Sequence, residues 1–207
     1  MIVSEAVGCQ FFPCTDVHHD GYRIPPVELD PAMIKVVLIS ESASAEAEDD
    51  YYALGDPLFA RTTILAFRDA GFPVHSIDEI IRLGVYLTTA VKCNKMSYGI
   101  HRDTICECSR LLEQELNLFP QARAYLLMGD VAIQAMNMIG RRHGIGRIIP
   151  AGSTYKIRDS VFMFRDIRVF PSYLQAGPSY FIEASKRQMI AEDIAAALAY
   201  ANSLVVA

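Results

Sequence analysis

Within Lys35-Val36-Val37-Leu38-Ile39, four consecutive apolar residues lead into a polar, acidic segment from Ser40 to Asp50. A run this short, with no polar alternation, reads as a β-strand covered on both faces. The same signature returns at 85–91, 124–128 and 167–170. Between these runs lie helical patterns. One spans 57–70 and is closed by Gly71 and Pro73; a short one spans 77–82. Another runs from Asp103, as its cap, to about Leu118. Residues 131–139 follow, and a long helix covers about 179–201. Tyr155–Ile157 and Val161–Phe164 suggest a hairpin around Asp159-Ser160. Alternating strands and helices imply the α/β class: a three-layer α/β/α domain with a central four-stranded, mostly parallel sheet. The reading is one domain over 1–207, opening with an irregular segment, 1–34, broken by Pro13, Pro25, Pro26 and Pro31. In such sheets ligands bind at the carboxyl ends of the strands. The loops to examine are therefore 40–52, 89–98, 129–130 and 170–177.

Composition bounds the answer. Of 207 residues, 52% are hydrophobic and 21% charged, which excludes a disordered chain. No apolar run approaches the ~20 residues of a membrane span. The longest candidate, 195–207, contains Asn202 and Ser203. Glu5 and the lack of an early Lys or Arg do not fit a secretory leader. These features predict a soluble, cytoplasmic monomer with no membrane partner. The net charge of −5 argues against indiscriminate coating of nucleic acid. Yet residues 141–187 carry nine Lys/Arg against three Asp/Glu, on a body that is otherwise acidic. That basic third is either a phosphate-facing surface or an ordinary solvated face.

Five cysteines stand at 9, 14, 93, 106 and 108. In a cytosolic chain, metal or cluster binding explains clustered cysteines better than disulfides do. Two separated pairs can hold an iron–sulfur cluster or tetrahedral zinc. The CxxxxC spacing of Cys9 and Cys14 is not a tight ligand pair, so reduced, part-buried thiols are the other reading. His18 and His19 are alternative ligands by position.

Several segments together resemble the uracil-DNA glycosylase superfamily, closest to its iron–sulfur branch, family four. Val36–Ser44 resembles that family's strand followed by Gly-Glu-Ala-Pro-Gly, and Gly55-Asp56-Pro57-Leu58 its Gly-x-Pro-Phe. Tyr86-Leu87-Thr88-Thr89-Ala90-Val91-Lys92-Cys93 resembles Tyr-x-Thr-Asn-Ala-Val-Lys-Cys, the most specific match. Cys108–Leu116 resembles the helix bearing the fourth ligand, Leu126–Ala132 the Leu-Gly-x-x-Ala turn, and Phe170-Pro171-Ser172 the His-Pro-Ser motif. The matches run in order from about Cys9 to Asp193.

The resemblance implies a DNA base glycosylase. Such an enzyme extrudes a deaminated or damaged base and hydrolyses its N-glycosidic bond. It implies a [4Fe-4S] cluster, with zinc the lesser alternative, on Cys9, Cys14, Cys93 and Cys108, leaving Cys106 spare. Glu41 stands at the motif glutamate and would serve the hydrolytic water. Ser40, Ser42, Leu58, Phe59, Thr89, Phe170 and Ser172 would contact substrate, with Phe59 or Phe170 as stacking face. Tyr173 and Leu174 occupy the place of the duplex-inserting segment, and Arg165 and Arg168 would contact DNA phosphates. Tyr51 or Tyr52 could supply a ring or a hydroxyl. Two departures matter. Phe170 replaces a histidine that donates to the leaving base, and Thr89 replaces the asparagine that reads the base edge. Losing one pre-aimed donor costs about 100- to 1,000-fold in rate. The alternative function is therefore a catalytically silent module that binds DNA or RNA on the same scaffold. A hydrolase of free nucleosides or nucleotides is a third.

Overall fold

The computed structural model describes residues 1–203. Residues 204–207, the end of the apolar stretch at 195–207, lie outside the described part. Among the described residues no helix is long and apolar enough to cross a membrane. Six strands form one sheet: β1 (Val17–His18), β2 (Val36–Ala43), β3 (Val85–Lys95), β4 (Ala124–Met128), β5 (Phe162–Phe164) and β6 (Ile167–Ser172). Their order is β1-β3-β2-β4-β6-β5. The four central strands run parallel, as the sequence implies. The two edges, β1 and β5, are antiparallel.

The helices are α1 (Val3–Ala6), α2 (Leu58–Asp69), α3 (Ile77–Arg82), α4 (Arg102–Leu116), α5 (Asp130–Arg142), α6 (Thr154–Ile157) and α7 (Ala184–Ser203). Strand alternation divides the core in two. Val36, Leu38, Leu87, Leu126 and Met128 face α2, α3 and α7, packing with Phe67, Ile80 and Ile194. Val37, Ile39, Tyr86, Tyr125 and Leu127 face α4, α5 and the N-terminal segment, packing with Ile105, Leu112 and Ile139. Each large aliphatic side chain so covered contributes roughly 1.5–3 kcal/mol. Cover on both faces is why these strands read as unbroken apolar runs.

Three expectations need correction. Residues 155–157 are helical, in α6, and do not form a hairpin strand. The hairpin is β5–β6, with Phe164 paired to Ile167 across Arg165-Asp166. Such two-residue turns favour positive φ, and Arg165 has φ 54° with no glycine to announce it. Helix α4 begins at Arg102, so Asp103 lies inside it. Its start is held from a distance: Asp16 accepts from the His101 amide at 2.5 Å and from the Thr104 hydroxyl. Helix α7 begins at Ala184, after a 3-10 turn at Pro178–Phe181.

Register brings the site together. Ser40 pairs with Thr89, and Met128 with Ser172, so the carboxyl ends of all four parallel strands finish at one edge.

Candidate functional site

Two cavities of about 730 and 580 Å³ meet at that edge. Glu41, Tyr98, Asp130, Leu174 and Ser179 line both, so the two form one cleft. The larger lobe adds Ser40–Ala45, Phe59 and Lys95–Ile100; the smaller adds Gly152–Thr154, Ser172 and Lys186.

Glu41 stands at the junction. Alternation along β2 turns it toward the start of α5, where backbone N–H groups carry the helix's partial positive charge. Burial raises its pKa above the ordinary glutamate value, opposed by the Lys95 ammonium and the Val131 and Asp130 amides. Gly129 makes this approach possible. Its φ is +99°, and a Cβ there would sit 2.6 Å from Glu41 Oε1. The cleft thus holds a desolvated carboxylate beside fixed amide donors.

Two of the three motif stretches, at 40–44 and 172–174, share this cleft, whereas Thr88 and Thr89 do not line it. Tyr51 is 2% exposed. Its hydroxyl donates to Ser40 Oγ at 2.8 Å and accepts from Gln175 Nε2 at 2.9 Å, linking β2 to the segment that follows β6. Its ring lies 5.4 Å from that of Phe59. Burial pushes the Tyr51 hydroxyl well above its ordinary pKa, so it stays neutral. Thr88 and Thr89 therefore line a separate cavity of about 490 Å³ with Arg23, Asp50, Tyr51 and Tyr52.

The other sequence-derived candidates divide. Ser40, Ser42, Phe59, Ser172, Tyr173 and Leu174 line the cleft. The Thr89 hydroxyl donates to the Val91 carbonyl at 2.9 Å, which spends its one donor on its own strand. Leu58 opens α2, its amide held by Asp49 at 3.1 Å, and Phe59 supplies the ring that lines the cleft. Phe170 is 5% exposed and packs among the core residues facing α7, beside Arg168 and Tyr200. It offers no stacking face to the cleft. Arg168 is the second residue of β6 and Arg165 precedes the strand, whereas Ser172 ends it at the cleft. At about 3.3 Å per residue, Arg168 lies some 13 Å from the cleft end. Arg165 instead joins His143 and Phe164 at the opposite sheet edge.

Sequence reasoning missed the supports. Ser172, 0% exposed, donates to Asp193 Oδ2 at 2.5 Å. Arg158 binds the same carboxylate at 2.8 Å. Burial raises Asp193 to about 6 despite the Ser172 hydroxyl and the Arg158 guanidinium. Beneath β3, fully buried Lys92 and Glu115 pair at 2.5 Å, and Thr88 and Tyr86 donate to Glu115. The Lys92 position was visible in the Val-Lys-Cys motif and the helix carrying Glu115 was expected; that Glu115 would be the partner of Lys92 was not.

Cys9, Cys14, Cys93 and Cys108 are brought into one neighbourhood. Burial, then the neighbouring Cys108, Cys14 and Cys9, push the Cys93 thiol up to about 12. Burial likewise raises Cys108 to about 11, with Cys14 and Cys9 contributing. The Cys9 amide donates to the Tyr22 hydroxyl at 2.8 Å. Cys93 lies within β3, not beyond its end. His19 is engaged with the Cys14 carbonyl at 2.8 Å. Four sulfur donors are the soft set that iron–sulfur clusters and structural zinc take. In donor type and neighbourhood the residues fit. Among the described residues, no group of three or more His, Cys, Asp or Glu is already arranged to hold a metal ion.

A mostly parallel α/β/α sheet with an acid at its carboxyl edge is the arrangement expected from the uracil-DNA glycosylase resemblance. Comparison with known proteins agrees: the chain is 36% identical over 59 residues to the type-5 uracil-DNA glycosylase of Thermus thermophilus. That match takes in 28% of this chain and 27% of the relative, so it spans about a quarter of the relative's length. No family model matches the chain.

Proposed function

We propose that this protein is a DNA base glycosylase of the uracil-DNA glycosylase type, with its base pocket in the Glu41 cleft. The observation that carries the reading is Glu41, a desolvated carboxylate at the junction of a cleft large enough for a nucleotide. In its ionised form Glu41 would orient a water and accept its proton. The water oxygen bonds to C1′ as the C1′–N bond breaks, and the base departs as an anion that is then protonated. Phe170 cannot donate to that anion. Lys95 and Ser42 line the same lobe and would offer a charge and a hydroxyl instead. Cys9, Cys14, Cys93 and Cys108 would hold a [4Fe-4S] cluster, or zinc, whose role is to tie the N-terminal segment to β3 and α4.

The test is incubation of the full-length protein with single- and double-stranded oligonucleotides carrying uracil, hypoxanthine or other lesions, followed by detection of abasic sites. Excision that Glu41→Gln lowers by at least about 100-fold is the expected result. Absence of excision from every lesion, with binding retained, would establish the second reading, a silent nucleic-acid-binding module. Three observations favour that module: Tyr51 occupies the space between the motifs, Thr89 has no free donor, and Phe170 faces the core.

A further inference from the structure

Charged and aromatic side chains alternate around the cleft. The half-buried Glu41 and the exposed Asp130 line it. So do the half-buried Lys95 and Lys186, each against a tyrosine. Lys95 Nζ lies 5.7 Å from the Tyr98 ring centroid and donates to the Tyr98 carbonyl at 3.4 Å. Lys186 Nζ lies 5.4 Å from the Tyr173 ring centroid. Lys186 is held above its ordinary pKa first by Glu183, with Tyr173 and Tyr98 adding to the effect. Tyr98 thus stands between two ammonium groups and borders both lobes. It is 99% exposed, and its neighbour Met96 is 53% exposed. The Lys186–Glu183 pair at 2.8 Å is solvent-exposed, so a phosphate can compete for the lysine.

We propose that Tyr98, Tyr173, Lys95 and Lys186 form a platform for unpaired nucleic acid, stacking a base on Tyr98 and pairing the flanking phosphates with the two lysines. A ligand with a neutral flat ring and an anionic backbone suits both the tyrosine rings and the lysines. A base within a duplex has both faces covered by its neighbours, so a free-standing tyrosine selects unpaired or extruded bases. The platform rests on the proposed glycosylase reading for its substrate class but not for its chemistry.

The experiment measures binding of the full-length protein to lesion-free oligonucleotides, single- and double-stranded, across a salt series. With no excisable base present, the result is independent of catalysis. Single strands are expected to bind at least ten-fold tighter than duplex. Tyr98→Ala should weaken single-strand binding by about 10- to 100-fold, and Tyr98→Phe should preserve it. Lys95→Ala and Lys186→Ala should each lower the slope of log affinity against log salt by about 0.7. Wild-type-like binding by a folded Tyr98→Ala variant, equal affinity for duplex, or binding confined to anionic lipid vesicles would overturn the proposal. Normal single-strand binding without excision of any lesion would defeat the glycosylase reading and leave the platform standing.

Discussion

Glu41, half-buried, and Asp193, buried, both have raised pKa values, but their consequences differ. Glu41 must be ionised to take a proton from water. Burial disfavours that ionised form, and Lys95 and the amides at the start of α5 oppose the effect only in part. Excision should therefore fail on the acid side at a pH above the ordinary glutamate range, and a pH–rate profile of kcat/KM would show this midpoint. Asp193 acts on stability. Its pKa is about 6 in the folded protein against an ordinary 3.8, so between those values the folded state binds more protons than the unfolded one. Its contribution is present below about pH 4 and is lost as pH rises through about 6. Urea midpoints across that window should fall with rising pH in the wild type, and the fall should be smaller in Asp193→Asn. An unchanged slope in that variant would show that another group is responsible.

At the level of elements, the turn from β4 into α5 sets the site. Gly129 adopts φ +99° at the N-cap, and a side chain there would meet Glu41 Oε1 and Cγ. Gly129→Ala should cost about 1–3 kcal/mol in urea unfolding and displace the carboxylate from the helix amides. Excision should then fall even where the variant is fully folded. This turn was legible in the sequence, since Gly-Asp ahead of 131–139 marks a strand-to-helix junction. So were the four parallel strands, whose burial on both faces writes itself as uninterrupted Val, Leu and Ile. The hairpin was not legible, because Arg165 takes the left-handed conformation without a glycine to signal it. Nor was the cap of α4, which comes from Asp16, more than eighty residues away in sequence. Within the site, Glu41 and Ser172 could be read from motifs. Tyr51 filling the space between Ser40 and Gln175 could not, because local pattern does not reveal which side chain occupies a tertiary gap.

For the molecule as a whole, four of the cysteines bring the N-terminal segment into the neighbourhood of β3 and α4. Cys9 and Cys14 sit on the N-terminal segment, whose elements are all short: α1, the two-residue β1 and two 3-10 turns at 19–21 and 31–33. Cys93 lies within the longest strand and Cys108 within a core helix. A four-sulfur centre would thus tie the N-terminal segment to β3 and α4. It would also stabilise the wall that carries Tyr22 and Arg23 beside the Thr89 cavity. Burial and the neighbouring thiols keep Cys93 and Cys108 protonated, and a bound metal would reverse that by deprotonating them. Protein purified without oxygen should be brown and contain iron and acid-labile sulfide if the centre is a cluster, and be colourless with bound zinc if it is a zinc site. Cys93→Ser and Cys108→Ser should lose the metal and lower Tm, while Cys106→Ser should retain both. The N-terminal segment should become sensitive to protease in the two variants that lose metal, with the sheet still protected. Metal-free wild-type protein with the same Tm and the same protease pattern as the loaded form would show that packing alone holds this segment in place.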